Sequence, residues 1–328
     1  MSDVAIIVPA YNAAATLQAT LESAVCQSGI NEMLVIDDGS TDSTREIALS
    51  FGPDVRVLSV PNGGVSAARN LGIAETSSEW IVFLDADDLL FPGTIARRLV
   101  TAKETNADVV VCDWQDLVDD GEGGLRTAEL HSLDWEAMSE DAVIATATTE
   151  WATTAALMYH RTVSGKVGGF RLDLPIIQDA RYFFDAASKG ARFGHSPHVG
   201  AGYRIMMESL SRKNPARFHL DVLRNGEQIE ALWRARGELS AAQRRALCDI
   251  YNGAAGGLFS VEHDSFFEAI GALERLDGKL TRHNLIASRL VRAIGPRASR
   301  RIVDAILLFR RMGQRQLGHV DSLSGPAK

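Results

Sequence analysis

Three carboxylates fall within four positions in "WIVFLDADDLL" (80–90), directly after five apolar residues. Asp85, Asp87 and Asp88 repel one another at this spacing unless positive charge lies among them. A hard divalent ion such as Mg²⁺ or Mn²⁺ takes oxygen ligands, usually one or two carboxylates together with substrate phosphates. The corner therefore reads as a seat for a metal that in turn holds a diphosphate. Helix capping is the structural alternative, since carboxylates stabilise a helix N-terminus. It accounts for one of the three, Asp88 being best placed, and not for all of them.

Two further stretches carry chemistry. In "IDDGSTD" (36–42), Ser40 or Asp42 can cap the following helix. A carboxylate at the strand end can equally accept the ring N–H of a uracil or a ribose hydroxyl, and both readings stay open. In "PNGGVSAARN" (61–70), flexible backbone enters a helix where exposed N–H groups favour anions. Arg69 adds a fork suited to phosphate, or alternatively forms a surface ion pair. His195 and His198 in "ARFGHSPHV" can ligate a metal, although structural roles are commoner. Trp114, Trp135 and Trp151 are candidates for stacking on sugars, with core packing as the default.

The elements that must position these residues follow from the pattern of apolar runs. Strands are predicted at 4–9, 32–37, 55–60, 79–84 and 107–114. Between them, Leu17, Leu21 and Val25 fall four apart ahead of Gly29, and 40–52 offers capping residues and a closing Gly. A third helix follows "PNGG", and a fourth has Pro92 at its start. This alternation implies a mostly parallel sheet with helices on both faces. In such sheets ligands bind beyond the carboxyl ends of the strands. The "PAYN", "DDGSTD", "PNGG" and "DADD" segments all fall on that edge. "DDGEGGLR" (119–126) reads as a loop or turn, and the chain beyond about 214 as helical.

The chain of 328 residues has a net charge of −8, unevenly spread: residues 271–328 carry 12 Lys and Arg against 4 Asp and Glu. Its three cysteines, Cys26, Cys112 and Cys248, show neither disulfide-scaffold nor zinc spacing. The N-terminus lacks signal-peptide patterning, and no run of about 18 apolar residues occurs. The expected location is the cytoplasm, with an option for the inner face of the membrane. That option rests on 289–317, where Ile302, Ala305, Ile306 and Phe309 share a helical face flanked by Arg300, Arg301, Arg310 and Arg311. Such a helix can lie on anionic lipid or pack on the rest of the chain. No base-reading module accompanies the arginines, so nucleic acid is not an expected partner.

Taken together and in order, "VPAYNAAATLQATLESAVCQS", "VIDDGSTDST", "NGGVSAARNLGI" and "FLDADDLLFPG" closely resemble family 2 glycosyltransferases. The likeness is dense over 3–115 and thinner to about 211. It implies a GT-A fold, Rossmann-like, over 1–212, with a nucleotide-binding half (1–115) and an acceptor half (116–212). A helical C-terminal extension (213–328) follows. It implies inverting transfer from a nucleotide-diphospho-sugar, uridine being the family-weighted base, to a glycan or lipid-linked acceptor in polysaccharide synthesis. Pro9, Ala10 and Tyr11 would line the base, Asp38 would bind the uracil ring, and Arg69 would lie near the nucleotide. Asp85 and Asp87 would form the DxD motif, Asp87 as the main ligand of Mn²⁺ or Mg²⁺. Downstream, "KVGGFRLDLPIIQDARYFFDAASKG" (166–190) matches the family's Gly-Gly-Phe. Its Glu-Asp pair appears as Gln178-Asp179, leaving Asp179 as the base. Arg204 and Ser209 would touch the diphosphate. Two other classes stay in view. A nucleotidyltransferase would carry a Gly-rich basic loop after the first strand, and "PAYNAAATL" has neither Gly nor Lys/Arg. A catalytically silent sugar-nucleotide-binding protein would be separated from an enzyme by donor hydrolysis.

Overall fold

The computed structural model describes residues 3–121, 123–206, 209–259 and 262–280, with 294–295, 298–299 and 301–302. The chain forms two compact units, Met1–Asp221 and Val222–Lys328. Most of the basic stretch 289–317 lies outside the described residues. Among the described residues, no helix is long and apolar enough to cross a membrane.

The first unit begins with β1 (Val4–Ala10), α1 (Leu17–Val25), β2 (Ile30–Asp37), α2 (Thr44–Ser50), β3 (Arg56–Ser59), α3 (Val65–Glu75) and β4 (Trp80–Phe83). It continues through β5 (Leu89–Leu90), α4 (Thr94–Thr105), β6 (Val109–Asp119), β7 (Leu125–His131), α5 (Trp135–Thr148) and β8 (Leu157–His160). α6 (Arg161–Val167), α7 (Gln178–Ser188), β9 (Phe193–Arg204) and α8 (Leu210–Lys213) follow. α9 (Pro215–Arg234) carries the chain into the second unit, which holds α10 (Ala241–Leu258) and α11 (His263–Arg275).

The sheet order is β3-β2-β1-β4-β8-β6-β9-β5, with β7 paired to β6. β1 pairs in parallel with β2 and β4, and β2 with β3. All seven residues of β1 are buried, which explains its unbroken apolar run. β8 enters antiparallel between β4 and β6, so that β6 runs the same way as β4, and β9 pairs in parallel with β6. The carboxyl ends of β1, β2, β4, β6 and β9 therefore share one edge. The expected loop at 119–126 is the tight β6–β7 hairpin, closed by Asp120 N–H on Gly124 O at 3.1 Å and Gly124 N–H on Asp120 Oδ1 at 2.8 Å.

Two local features set the site. α3 lies so close to β1 that a Cβ at Gly72 would meet Ile7 Cγ2 at 2.3 Å. That approach brings Arg69, one turn earlier, to the strand ends. Ahead of α1 the chain turns at Asn12, whose φ is 48°. Asn12 N–H bonds Ser40 Oγ at 3.0 Å, and Ala13 N–H bonds Thr44 Oγ1 at 2.7 Å. These contacts fasten the turn after β1 to the loop after β2.

Candidate active site

The carboxylates of the "DADD" turn sit at the edge expected for them, each in a different environment. Thr16, just before α1, and Thr20 within it hold the turn by donating to Ala86 O at 2.8 and 3.1 Å. Asp85 stays about a third exposed and pairs with Arg69 Nη2. Asp87 is half-buried, and its carboxyl is pushed up to about 6, by burial first and then by the charge of Asp85. Arg204 and Arg69 oppose that shift.

Asp88 is only 1% exposed, and burial with the charges of Asp87 and Asp85 drives its carboxyl well above the usual range. It caps no helix, because β5 follows it. Instead Asp88 Oδ1 accepts Arg204 N–H at 2.9 Å and Oδ2 accepts the Thr153 hydroxyl at 2.9 Å. The third carboxylate is thus a structural brace between the turn, the end of β9 and the loop before β8.

Arg69 does not lie on the surface. It is 1% exposed, with its Cζ 5.0 Å above the centre of the Phe170 ring. One end of its fork binds Asp85 and the other binds Gln178 Oε1, while Nε has no partner. The guanidinium therefore joins the "DADD" turn to the first residue of α7, across 109 residues of sequence to Gln178. Gln178 keeps the hydrogen bond that a Glu would make and contributes no competing charge.

Asp179 follows in the first turn of α7 and is half-buried. Burial raises its carboxyl. Arg69, the Ala180 N–H and the Trp151 indole pull it back, and Asp85 pushes it further up. Trp151 Nε1–H donates to Asp179 Oδ2 at 3.3 Å. Tyr203, on β9, feels Asp88, Asp85, Asp179 and Asp87, and burial with these charges pushes its hydroxyl up to about 12. Neither Tyr203 nor the Trp151–Asp179 bond has a sequence signal, since each depends on which strands the sheet brings together.

The nucleotide-side candidates line the adjoining strand ends. Pro9 and Ala10 are buried at the end of β1, whereas Tyr11 is 52% exposed. Asp38 is buried and clamps the "PNGG" loop, accepting Gly63 N–H at 2.7 Å and Gly64 N–H at 2.9 Å. Each of its oxygens keeps lone-pair capacity for a further donor. Asp42 serves α2 and the loop after β1, accepting from Thr44 N–H and Ala14 N–H. Arg204 reaches the turn directly, with Nε donating to Asp87 O at 2.8 Å. Ser209 precedes α8, its hydroxyl 3.5 Å from Ser211 Oγ, and no described contact joins it to the carboxylates.

The histidines are accounted for locally. His195 Nε2 lies 2.9 Å from Asp113 Oδ1, and its ring stacks on Trp135 at 4.6 Å. His198 sits between the Ser196 and Thr94 hydroxyls, and burial lowers its pKa. Among the described residues, one three-residue set brings metal-binding atoms within 4.8 Å of one another: Asp116, Glu129 and His131, on the β6–β7 hairpin. Asp85 and Asp87 supply a pair of carboxylates rather than a cage. A pair suits a cation that completes its shell with phosphate oxygens and water.

Residues 5–162 match the model of the family described as Glycosyl transferase family 2. The succinoglycan biosynthesis protein ExoO of Rhizobium meliloti (strain 1021) is 31% identical over 219 residues, 64% of this chain and 63% of that protein. The uncharacterized glycosyltransferase YibD of Escherichia coli (strain K12) is 37% identical over 115 residues, 33% of each. These matches span from 33% to 63% of the relatives' own length. Among solved structures, S. aureus TarS 1–349 in complex with UDP-GlcNAc superposes with a TM-score of 0.67 at 18% identity, covering 94% of this chain and 92% of that one. The same protein in complex with UDP gives 0.65. At that identity the likeness establishes the fold.

Proposed function

Because residues 5–162 match the model of glycosyl transferase family 2, we propose that the protein moves a sugar from a nucleotide-diphospho-sugar, with uridine as its base, onto a hydroxyl of a glycan or lipid-linked saccharide. Transfer inverts the anomeric centre and serves polysaccharide synthesis at the cytoplasmic side of the membrane. The observation that carries this reading is Arg69. Its single buried guanidinium holds Asp85 of the donor side and Gln178, the neighbour of Asp179, in one fixed frame.

In this reading residues 1–115 form the donor half and 116–212 the acceptor half. Tyr11 offers its exposed ring to the base, Asp38 accepts from the base, and Arg204 places positive charge beside the diphosphate. Asp179 takes the proton of the acceptor hydroxyl as that oxygen bonds to the anomeric carbon. The bond from that carbon to the diphosphate breaks, and the nucleoside diphosphate leaves from the opposite face. Burial suits Asp179 to this work, since it brings a carboxylate nearer the basicity that proton abstraction needs. Asp87 with Asp85 would hold Mn²⁺ or Mg²⁺, and the oxygen-only donor set fits either ion. When bound, such an ion supplies positive charge for the departing diphosphate.

A panel of nucleotide sugars scored by thermal shift, with and without Mn²⁺, tests the reading. A ligand at a hundred times its Kd stabilises the native state by about 2.7 kcal/mol. A uridine nucleotide sugar is expected to raise Tm in Mn²⁺, and Asp87→Ala is expected to abolish the Mn²⁺-dependent part. No shift from any nucleotide sugar overturns the donor assignment. An undiminished shift in excess chelator removes the metal from the scheme.

A further inference from the structure

Of the three tryptophans with sugar-stacking potential, the structure separates one. Trp114 is 4% exposed and lies flat against His131 at 5.4 Å. Trp135 lies flat against His195, and its indole nitrogen is buried. Trp151 is 36% exposed, and its polar rim is tied to Asp179 Oδ2. Two rings meet it nearly at right angles: Trp114 at 6.2 Å and 90°, and Tyr203 at 5.8 Å and 79°. Two residues on, Thr153 is fastened to buried Asp88. The loop carrying Trp151 is thus pinned at both of these side chains, and the indole stays partly exposed beside the carboxylate.

We propose that Trp151 is the platform on which the acceptor's sugar ring stacks, and that the acceptor presents a pyranose rather than an open-chain polyol at the bonding position. This rests on the reading of Asp179 as the base. A pyranose has a flat C–H face and a polar rim, which match an indole that remains 36% exposed and whose N–H is already committed to Asp179. Stacking the ring there sets one of its rim hydroxyls beside Asp179. A flexible polyol offers no flat face and would lose more conformational freedom on binding. The indole N–H also fixes the Asp179 carboxylate, so one side chain positions both partners of the proton transfer.

The test is saturation-transfer NMR on the full chain in the presence of UDP. The probes are the methyl glycosides of glucose, galactose and N-acetylglucosamine, with D-mannitol as the open-chain control. At least one methyl glycoside is expected to receive saturation from the wild type and from Trp151→Phe, which keeps a ring and loses the N–H. In Trp151→Ala the signal is expected to fall about fivefold or more, and mannitol is expected to receive none. Far-UV circular dichroism checks folding, with Trp151→Gln as the second ring-free variant if the alanine form fails. The proposal is overturned if no methyl glycoside is saturated by the wild type, if a folded ring-free variant keeps the signal, or if mannitol equals the glycosides. A missing UDP thermal shift in the wild type would instead sink the donor reading, and the saccharide comparison would still decide the platform.

Discussion

The carboxyl and amino ends of the parallel strands carry the same acidic residues in opposite states. At the carboxyl edge, Asp87, Asp88 and Asp179 are all shifted upward, burial being the leading cause in each. At the amino edge, Glu32 and Asp108 are shifted downward. Glu32 is more than compensated by the Ser78 and Thr76 hydroxyls, and Asp108 is held by the Arg192 guanidinium. Asp42 shows that the contrast is not a matter of location alone. It lies on the carboxyl edge, yet two backbone N–H groups and the Thr44 hydroxyl satisfy it, and its carboxyl is lowered. Negative charge is left incompletely compensated at the "DADD" turn and at Asp179, where a cation, a donor and an acceptor hydroxyl would complete it. Perturbed carboxylates gathered in one place mark a functional edge more clearly than carboxylates as such.

The strongest way to break this contrast is at Asp179. On the proposed mechanism Asp179→Asn keeps the shape and removes the base, so transfer is expected to fall by about 10²–10⁴-fold. Nucleotide-sugar binding by thermal shift should stay as in the wild type. Turnover near the wild-type rate, with weakened donor binding, would move Asp179 to the donor side and leave the acceptor half without its base.

A smaller effect separates the donor side by pH. Asp87 is raised to about 6, so its protonated form gains population as the pH falls through that value. Cation binding needs the ionised carboxylate. The Mn²⁺-dependent part of nucleotide stabilisation is therefore expected at pH 7.5, and the apparent Mn²⁺ affinity behind it should fall by about tenfold per pH unit below 6. Raising the Mn²⁺ concentration should move the midpoint downward, because ion and proton compete. A flat profile between pH 5 and 7.5 would place the ion elsewhere.

How far the two edges could be read without the fold follows from the range of the interactions. β1, β2 and β4 were legible because strands buried on both faces need continuous apolar runs. β5, β7 and β8 were not: β5 has two residues, β7 is largely exposed, and β8 exists by antiparallel pairing with β4 and β6. The "DADD" turn was recognisable from composition and spacing, whereas Asp179 was reached through family resemblance. Asp88 looked like a cap because its partner, Arg204 N–H, lies 116 residues away. Arg69 read either as a phosphate fork or as half of a surface ion pair, and the close packing of α3 on β1 buries it. Tyr203 carries no local signature, and Trp151 stood among three stacking candidates with nothing to single it out, since their surroundings come from other elements.

The smallest expected effect is at the opposite edge. Glu32 Oε1 accepts the Thr76 hydroxyl at 2.7 Å, the Ser78 hydroxyl at 2.6 Å and Ser77 N–H at 3.3 Å. These bonds outweigh the burial that would raise its carboxyl, and the folded-state pKa lies below the ordinary 4.5. A carboxylate lowered in this way contributes stability that is present above its unfolded value and is lost as the pH falls through the folded one. Glu32→Gln keeps an acceptor oxygen and removes the charge. Because Glu32 is partly exposed, solvent screening holds the cost at pH 7 to about 1 kcal/mol or less. Urea unfolding should show that gap at pH 7 and should show it closing as the pH falls from the ordinary 4.5 through the lowered folded-state value. Transfer per folded molecule should be unchanged, since the proposed site lies at the opposite edge. A folded Glu32→Gln protein with transfer reduced tenfold or more would show that the amino edge sets the chemistry too, and the division between the two ends would fail.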